Sequence, residues 1–312
     1  MEKLKLLKEV LGNYYFSNEE TLFYCPYCEH HKKKLSVNVE KSCYKCWICD
    51  IHGRSIRRII RRFGTYTQLR KWDKLSGREE ILQFDELFKE TKKEIASKRL
   101  SLPEEFITLT GKGQSLSSIK ALNYLKNRGI TKDDIIRWKI GYCIRGQFEG
   151  RIVIPSFDEE GYLNYFVARS YTNDWRKYKN PSATKNVVFN HLFIDWDSDL
   201  SIVEGAFDAI KAGPNAIPLL GSTLRENSKL FQEIVKNDTP VFIALDNDAE
   251  DKSVKLISTL LSYGVETYKI DTSDYQDVGE MTKEEYQERK TNAKFVNPDT
   301  FMIEHSLNFI KI

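Results

Sequence analysis

Residues 200–221 read "LSIVEGAFDAIKAGPNAIPLLG". A short apolar run meets Glu-Gly, then comes "AFDAIKAG", then a second apolar run in "NAIPLLG". Apolar runs of this length bounded by Gly and Pro read as strands, and the segment between them as a helix. The alternation continues. "TLRENSKLFQEIVK" reads as a helix, "PVFIALD" as a strand, "SVKLISTLLSYG" as a helix with Gly264 at its C′ position, and "VETYKID" as a strand. Strands and helices in this order predict a doubly wound, largely parallel sheet over residues 198–280.

In such a sheet, ligands bind beyond the C-terminal ends of the strands. Glu204 ends one predicted strand, Asp246 and Asp248 end another, and Asp277 follows a third. Close carboxylates repel one another, and a divalent cation relieves that repulsion. An all-oxygen set points to Mg²⁺ or Mn²⁺, ions used for phosphoryl transfer. Asp195, Asp197 and Asp199 read as a solvated loop instead.

Upstream, residues 101–197 mix helical patterns ("SIKALNYLKNRGI", "TKDDIIRWKI") with strand-like ones ("GRIVIPSF", "GYLNYFVARSY", "VVFNHLFI"). Thr131 and Asp134 have the spacing of a helix start. Residues 64–100 are charged and poor in apolar groups, and read as a linker. Residues 281–312 read as a tail.

The first 63 residues hold a different chemistry. Cys25-x2-Cys28 and Cys46-x2-Cys49 are spaced as in a zinc ribbon, two turns presenting four thiolates to one tetrahedral Zn²⁺. Cys43-x2-Cys46 is a rival second pair. The preferred reading is Cys46/Cys49, because "DIHG" follows with a glycine, Gly53, to finish the reversal. His30, His31 and His52 are poorer ligands, since four thiolates fill the shell. Cys143 reads as a half-buried small residue. Directly after the cluster, Arg54, Arg57, Arg58, Arg61 and Arg62 fall on one helical face opposite Ile56, Ile59, Ile60 and Phe63. Like charges at this spacing repel, and an anionic partner such as nucleic-acid phosphate would neutralise them.

Composition narrows the classes. The chain has 312 residues, 41% hydrophobic and 30% charged, with a net charge of +3. That is enough apolar content for real cores. No apolar run approaches the roughly 20 residues of a membrane span, and the N-terminus lacks the pattern of a secretory signal. A cytoplasmic protein is expected, in which CxxC pairs bind metal rather than form disulfides.

Taken together these stretches resemble the DnaG-type primases of bacteria and phages. "CPYC" through "CYKCWICDIHG" is similar to their zinc ribbon. "LPEEF", "ALNYLKNRGITKDDIIRWKIGYC", "GRIVIPSFDEEGYLNYFVARSY" and "KYKNPSATK" resemble pieces of their polymerase domain. "IVEGAFDAIKAG", "AIPLLGSTL" and "ALDND" resemble their TOPRIM core. The resemblance implies an α+β multidomain chain: a zinc-binding module with its basic helix (1–63), a linker (64–100), a mixed α/β polymerase subdomain (101–197), a Rossmann-like TOPRIM subdomain (198–280) and a tail (281–312). It implies catalytic roles for Glu204, Asp246 and Asp248, with Asp277 as a further Mg²⁺ or Mn²⁺ ligand and Asp274 as its alternative. It also implies that Arg151, Arg169, Lys177 and Lys179 line a groove for template and nucleotide phosphates.

Two departures stand out. Many members carry His where Cys28 stands, and the Ala-Gly pair that usually follows Asp-x-Asp is replaced by Ala249, Glu250 and Asp251. The tail is too short for the usual helicase-binding domain, and no phosphate loop is present. The expectation is a compact, phage-like DNA primase in the cytoplasm of a bacterium or an infected host. It would use single-stranded DNA, NTPs, one structural Zn²⁺ and catalytic Mg²⁺ or Mn²⁺, with a replicative helicase as partner. A TOPRIM nuclease and a non-catalytic zinc/TOPRIM DNA-binding protein are the alternatives.

Overall fold

The structure, a computed structural model, describes residues 2–17, 20–76, 100–110, 115–221, 223–246, 249–298 and 300–301. The chain divides into two compact units, residues 1–97 and 98–312.

The first unit opens with α1 (Glu2–Leu11). A five-stranded antiparallel meander follows: β1 (Tyr15–Ser17), β2 (Glu20–Phe23), β3 (Leu35–Asn38), β4 (Cys43–Cys46) and β5 (His52–Gly53). Helices α2 (Ile56–Phe63) and α3 (Tyr66–Leu75) complete it. Phe23, Leu35 and Val37 from the sheet pack with Leu6, Ile59 and Trp72 from the three helices. Helix α3 lies in the stretch read as linker. Thr65 and Gln68 cap it reciprocally, and Trp72 buries its ring in the core. One large apolar residue among charges is a weak periodic signal, so the sequence reads as a tether where the fold has a third helix. The remainder of that stretch, 77–99, lies outside the described residues.

The second unit holds two sheets. β6 (Phe106–Thr108), β7 (Gly141–Cys143), β8 (Arg151–Phe157) and β9 (Leu163–Ser170) form an antiparallel sheet in that order, with α4 (Leu116–Asn127) and α5 (Lys132–Arg137) between β6 and β7. Thr131 and Asp134 form the expected capping box of α5. The other oxygen of Asp134 takes a hydrogen bond from Lys283. Burial raises the Asp134 pKa, but Lys283 and Thr131 outweigh it and hold the carboxyl below its ordinary value.

The alternation that began at residue 200 produces the second sheet. Its elements are β10 (Leu200–Val203), α6 (Ala206–Ala212), β11 (Ala216–Pro218), α7 (Lys229–Asn237), β12 (Val241–Ala244), α8 (Glu250–Ser262) and β13 (Thr267–Lys269). The spatial order is β11-β10-β12-β13-β14, with the first four strands parallel. The chain leaves β10 toward one side and returns to β12 on the other. The C-terminal ends of β10 and β12 therefore flank a topological switch point, where open α/β sheets bind ligands.

Three expectations change. Residues 281–295 are no tail: α9 (Lys283–Thr291) buries Tyr286 completely, and β14 (Lys294–Phe295) pairs antiparallel with β13. "VVFNHLFI" is no strand. Val188 and Phe189 are buried, but Asn190 turns left-handed at φ 55 and a 3₁₀ turn follows. The boundary at 197/198 separates no cores either, since Ile152 and Val167 of one sheet share a cluster with Ile202 and Ile243 of the other. Among the described residues no helix is long and apolar enough to cross a membrane.

Candidate metal centres and nucleic-acid contacts

The structure gathers Cys25, Cys28, Cys46 and Cys49, their sulfurs all within 4.8 Å of one another. Cys25 Sγ lies 3.8 Å from Cys49 Sγ, and Cys28 Sγ 3.9 Å from Cys46 Sγ. A tetrahedral zinc with Zn–S bonds of about 2.3 Å needs S···S edges of about 3.8 Å, so the donor set fits Zn²⁺ in kind and in spacing. Each CxxC turn closes through a left-handed residue, Glu29 (φ 49) after the first and Asp50 (φ 57) after the second. The reversal therefore ends at Asp50, not Gly53. Gly53 serves packing instead: a Cβ there would sit 2.7 Å from the Tyr44 hydroxyl.

Cys43 stands three residues before Cys46 on the same strand, so the two point to opposite faces, which separates Cys43 from the cluster. Without metal, burial pushes the Cys25 thiol up to about 12 and also raises Cys49. Burial acts on Cys46 as well, but N–H groups from Cys49 and Ile48 outweigh it and lower that thiol.

The carboxylates are arranged differently. Glu204 directly follows β10, and Asp246 follows β12 by two residues, one on each side of the switch point. Asp248 lies outside the described residues. Asp277 meets a residue that the sequence reading missed, Asp208 in the first turn of α6. A Cβ at Gly279 would lie 2.8 Å from Asp208 Oδ1 and 3.0 Å from Asp277 Oδ1, so glycine is what lets the two acids approach. Asp208 accepts a hydrogen bond from Gly205 N–H at 2.8 Å. Its carboxyl is pushed up to about 7, first by burial and then by the Asp277 and Asp246 charges, against the Gly205 bond and Arg128. The signal for it was present: "EGAFD" carries a second acid four residues after Glu204, one helical turn away. Asp274, the alternative to Asp277, is ion-paired with Arg289 and largely exposed.

Glu204 Oε1 is buried without a hydrogen-bond partner. An orphaned carboxylate oxygen at a crevice of acids fits an oxygen-seeking divalent cation. Among the described residues, however, no three carboxylates converge as tightly as the thiols do.

The four basic residues read as one groove do not share one face. Arg151 is 2% exposed; it pairs with Asp174 and donates to the carbonyls of Arg176 and Lys177. It braces the loop after β9. Lys177 and Lys179 flank Tyr178 on the returning strand, so they point away from the face that Tyr178 shares with Arg169. Lys179 reaches the Gln147 carbonyl at 2.9 Å. Arg169 lies on the face of Tyr178. It donates to the hydroxyls of Tyr124 (2.8 Å) and Tyr178 (2.7 Å). Arg128 donates to the same Tyr124 hydroxyl at 2.9 Å, and its charge is felt by Asp208. Arg128 thus borders the acids, and the Tyr178 hydroxyl that holds Arg169 feels the Asp208 charge too.

The arginine stripe is divided as well. Arg57 is buried and makes a two-pronged bond to Asp73 of α3, at 2.6 and 3.0 Å. It is a brace between helices, not a surface contact. Arg62 covers the Tyr27 ring. The aromatic surface lies on the sheet. Strand alternation puts Tyr15, Tyr24, Lys45 and Trp47 on the face opposite Phe23, Leu35 and Cys46. Trp47 is 62% exposed. Lys45 lies over Trp47, and Lys33 over Tyr15 and Tyr24.

No family model matches this chain. It is 25% identical to the DNA primase of Thermotoga maritima over 84% of this chain and 54% of that protein. It is 24% identical to the DNA primase of Helicobacter pylori over 76% and 49%. A solved DnaG primase catalytic domain bound to single-stranded DNA superposes with a TM-score of 0.54, at 19% identity, over 64% of this chain and 78% of that one. The chain spans about half the length of the curated relatives it matches. The chain is thus similar in sequence to DNA primases and in fold to a DnaG primase catalytic domain.

Proposed function

We propose that this chain is a primer-synthesising nucleotidyltransferase: a DNA primase that copies single-stranded DNA into short RNA. What supports the reading is Asp208 within electrostatic reach of Asp277, Asp246 and Arg128, one helical turn from the strand end that carries Glu204, with Arg169 bonded to the tyrosine that also holds Arg128. Oxygen ligands for a divalent cation beside fixed guanidinium groups suit a triphosphate. In this reading the sheet from β10 to β13 is a TOPRIM core, and Asp248 joins the ligand set. Arg128 and Arg169, aligned by Tyr124 and Tyr178, orient phosphates. The 3′ oxygen of one nucleotide attacks the α-phosphorus of the next, the bond to pyrophosphate breaks, and the hydroxyl proton leaves to solvent. A bound Mg²⁺ or Mn²⁺ would acidify that hydroxyl and neutralise the leaving phosphates.

The zinc module would meet the template through its aromatic and basic sheet face, since bases of any identity stack on exposed rings. Family resemblance adds a replicative helicase as partner and the cytoplasm as the setting. The test is incubation with single-stranded DNA, labelled NTPs and Mg²⁺ or Mn²⁺. Short RNA products are expected, and Asp246→Ala should abolish them while leaving DNA binding intact. Metal-dependent DNA cutting without RNA synthesis would replace this reading with that of a nuclease.

A further inference from the structure

The acid crevice already contains a cation of its own. Lys252 Nζ donates to Glu204 Oε2 at 2.8 Å, and the two side chains are only 24% and 18% exposed. Lys252 is the third residue of α8. A positive charge in the first turn of a helix opposes the helix dipole, and partial burial of the ammonium adds a desolvation cost. Helix stability therefore gives no reason for a lysine here. The neighbouring acid Glu250 is engaged elsewhere, by Lys269 at 2.6 Å. The geometry leaves one purpose: the ammonium neutralises Glu204, whose other oxygen is buried without a partner.

We infer that Lys252, held on Glu204 Oε2, is the resident counter-cation of the acid crevice, and that its charge weakens the binding of a divalent ion at the neighbouring Oε1. An ammonium at 2.8 Å and a metal ion on the same carboxylate repel each other. The ion pair therefore opposes the metal, and Lys252 sets the divalent concentration at which the site fills. The inference rests on the proposed reading of the acids as metal ligands.

The test is a Mn²⁺ titration of the zinc-loaded full chain, following the paramagnetic resonance of free aquo-Mn²⁺. The proteins are wild type, Lys252→Met, Lys252→Arg, Glu204→Gln and the Lys252→Met/Glu204→Gln double variant, with melting curves to check folding. Lys252→Met should bind Mn²⁺ about tenfold more tightly, as expected for removing one part-buried like charge. Lys252→Arg should stay within about twofold of wild type, because the charge remains. The gain should vanish in the double variant. Unchanged or weaker Mn²⁺ binding in Lys252→Met, while Glu204→Gln weakens it, would overturn the inference and leave the metal site standing. Unchanged binding in Glu204→Gln would overturn the acid-site reading together with it.

Discussion

Among the described residues, the four sulfurs of the first unit lie within 4.8 Å of one another, while no three carboxylates of the second unit's acid crevice gather as closely. The physical difference is charge. A free thiol ionises only near pH 8.5, and burial pushes Cys25 further up, to about 12. Neutral groups crowd at 3.8 Å without repulsion. Carboxylates ionise near pH 4 and repel at short range, so they are held apart, protonated or countered. Asp208 shows the second solution, with its pKa raised to about 7, and Glu204 the third, with Lys252 against it.

The sharpest way to break this contrast is to remove the zinc. Chelation, or Cys46→Ser, should unfold the first unit, since structural zinc supplies on the order of 10 kcal/mol to so small a core. Loss of dispersed amide signals for residues 2–75, with the second unit unaffected, is the readout. Cys43→Ser should keep one zinc per chain.

Next in size is the brace beside the cluster. Arg57→Met leaves Asp73 buried and uncompensated, which should cost about 3–5 kcal/mol in denaturant unfolding. Arg57→Met/Asp73→Leu should recover most of that, and Arg62→Ala should cost under about 1 kcal/mol.

On the acid side, the sign reverses. The folded pKa of Asp208 is raised above its unfolded value, so the group carries no penalty below about pH 4. The penalty grows between pH 4 and about 7 and is complete above. At pH 8, metal-free Asp208→Asn should therefore be more stable than wild type, by roughly 2–4 kcal/mol. Mn²⁺ should narrow the gap by stabilising wild type more. A destabilised Asp208→Asn at pH 8 would refute the picture of frustrated acids.

The smallest effect separates the two units by role. Trp47→Ala should weaken single-stranded DNA binding by about 1–2 kcal/mol in fluorescence anisotropy with little change in salt dependence, as for a stacking contact. Lys33→Ala should instead flatten the salt slope.

Local signals in the chain were strong where the chemistry is local. Two CxxC turns lie within 25 residues of each other, and the left-handed closures at Glu29 and Asp50 are set inside each turn. Apolar runs in "LSIV" and "VFIA" require strands whatever surrounds them, so the alternation after residue 198 gave the parallel sheet and its strand-end acids. Helix α3 and the 281–295 segment were illegible because each buries one or two large residues, Trp72 and Tyr286, among charges.

What the sequence determined by itself was which residue types stand at which spacing: a ribbon of thiols, and acids at the ends of strands. The side of the molecule each charge faces was decided only in three dimensions. Arg57 and Arg151 read as phosphate contacts, because a lone arginine looks exposed until its carboxylate is found. Those partners, Asp73 and Asp174, lie 16 and 23 residues away. Arg128, Asp208 and Lys252 went unnoticed for the same reason in reverse. Their meaning lies in what they touch across the crevice, and a charge acquires its role from its nearest opposite in space, not from its neighbours in the chain.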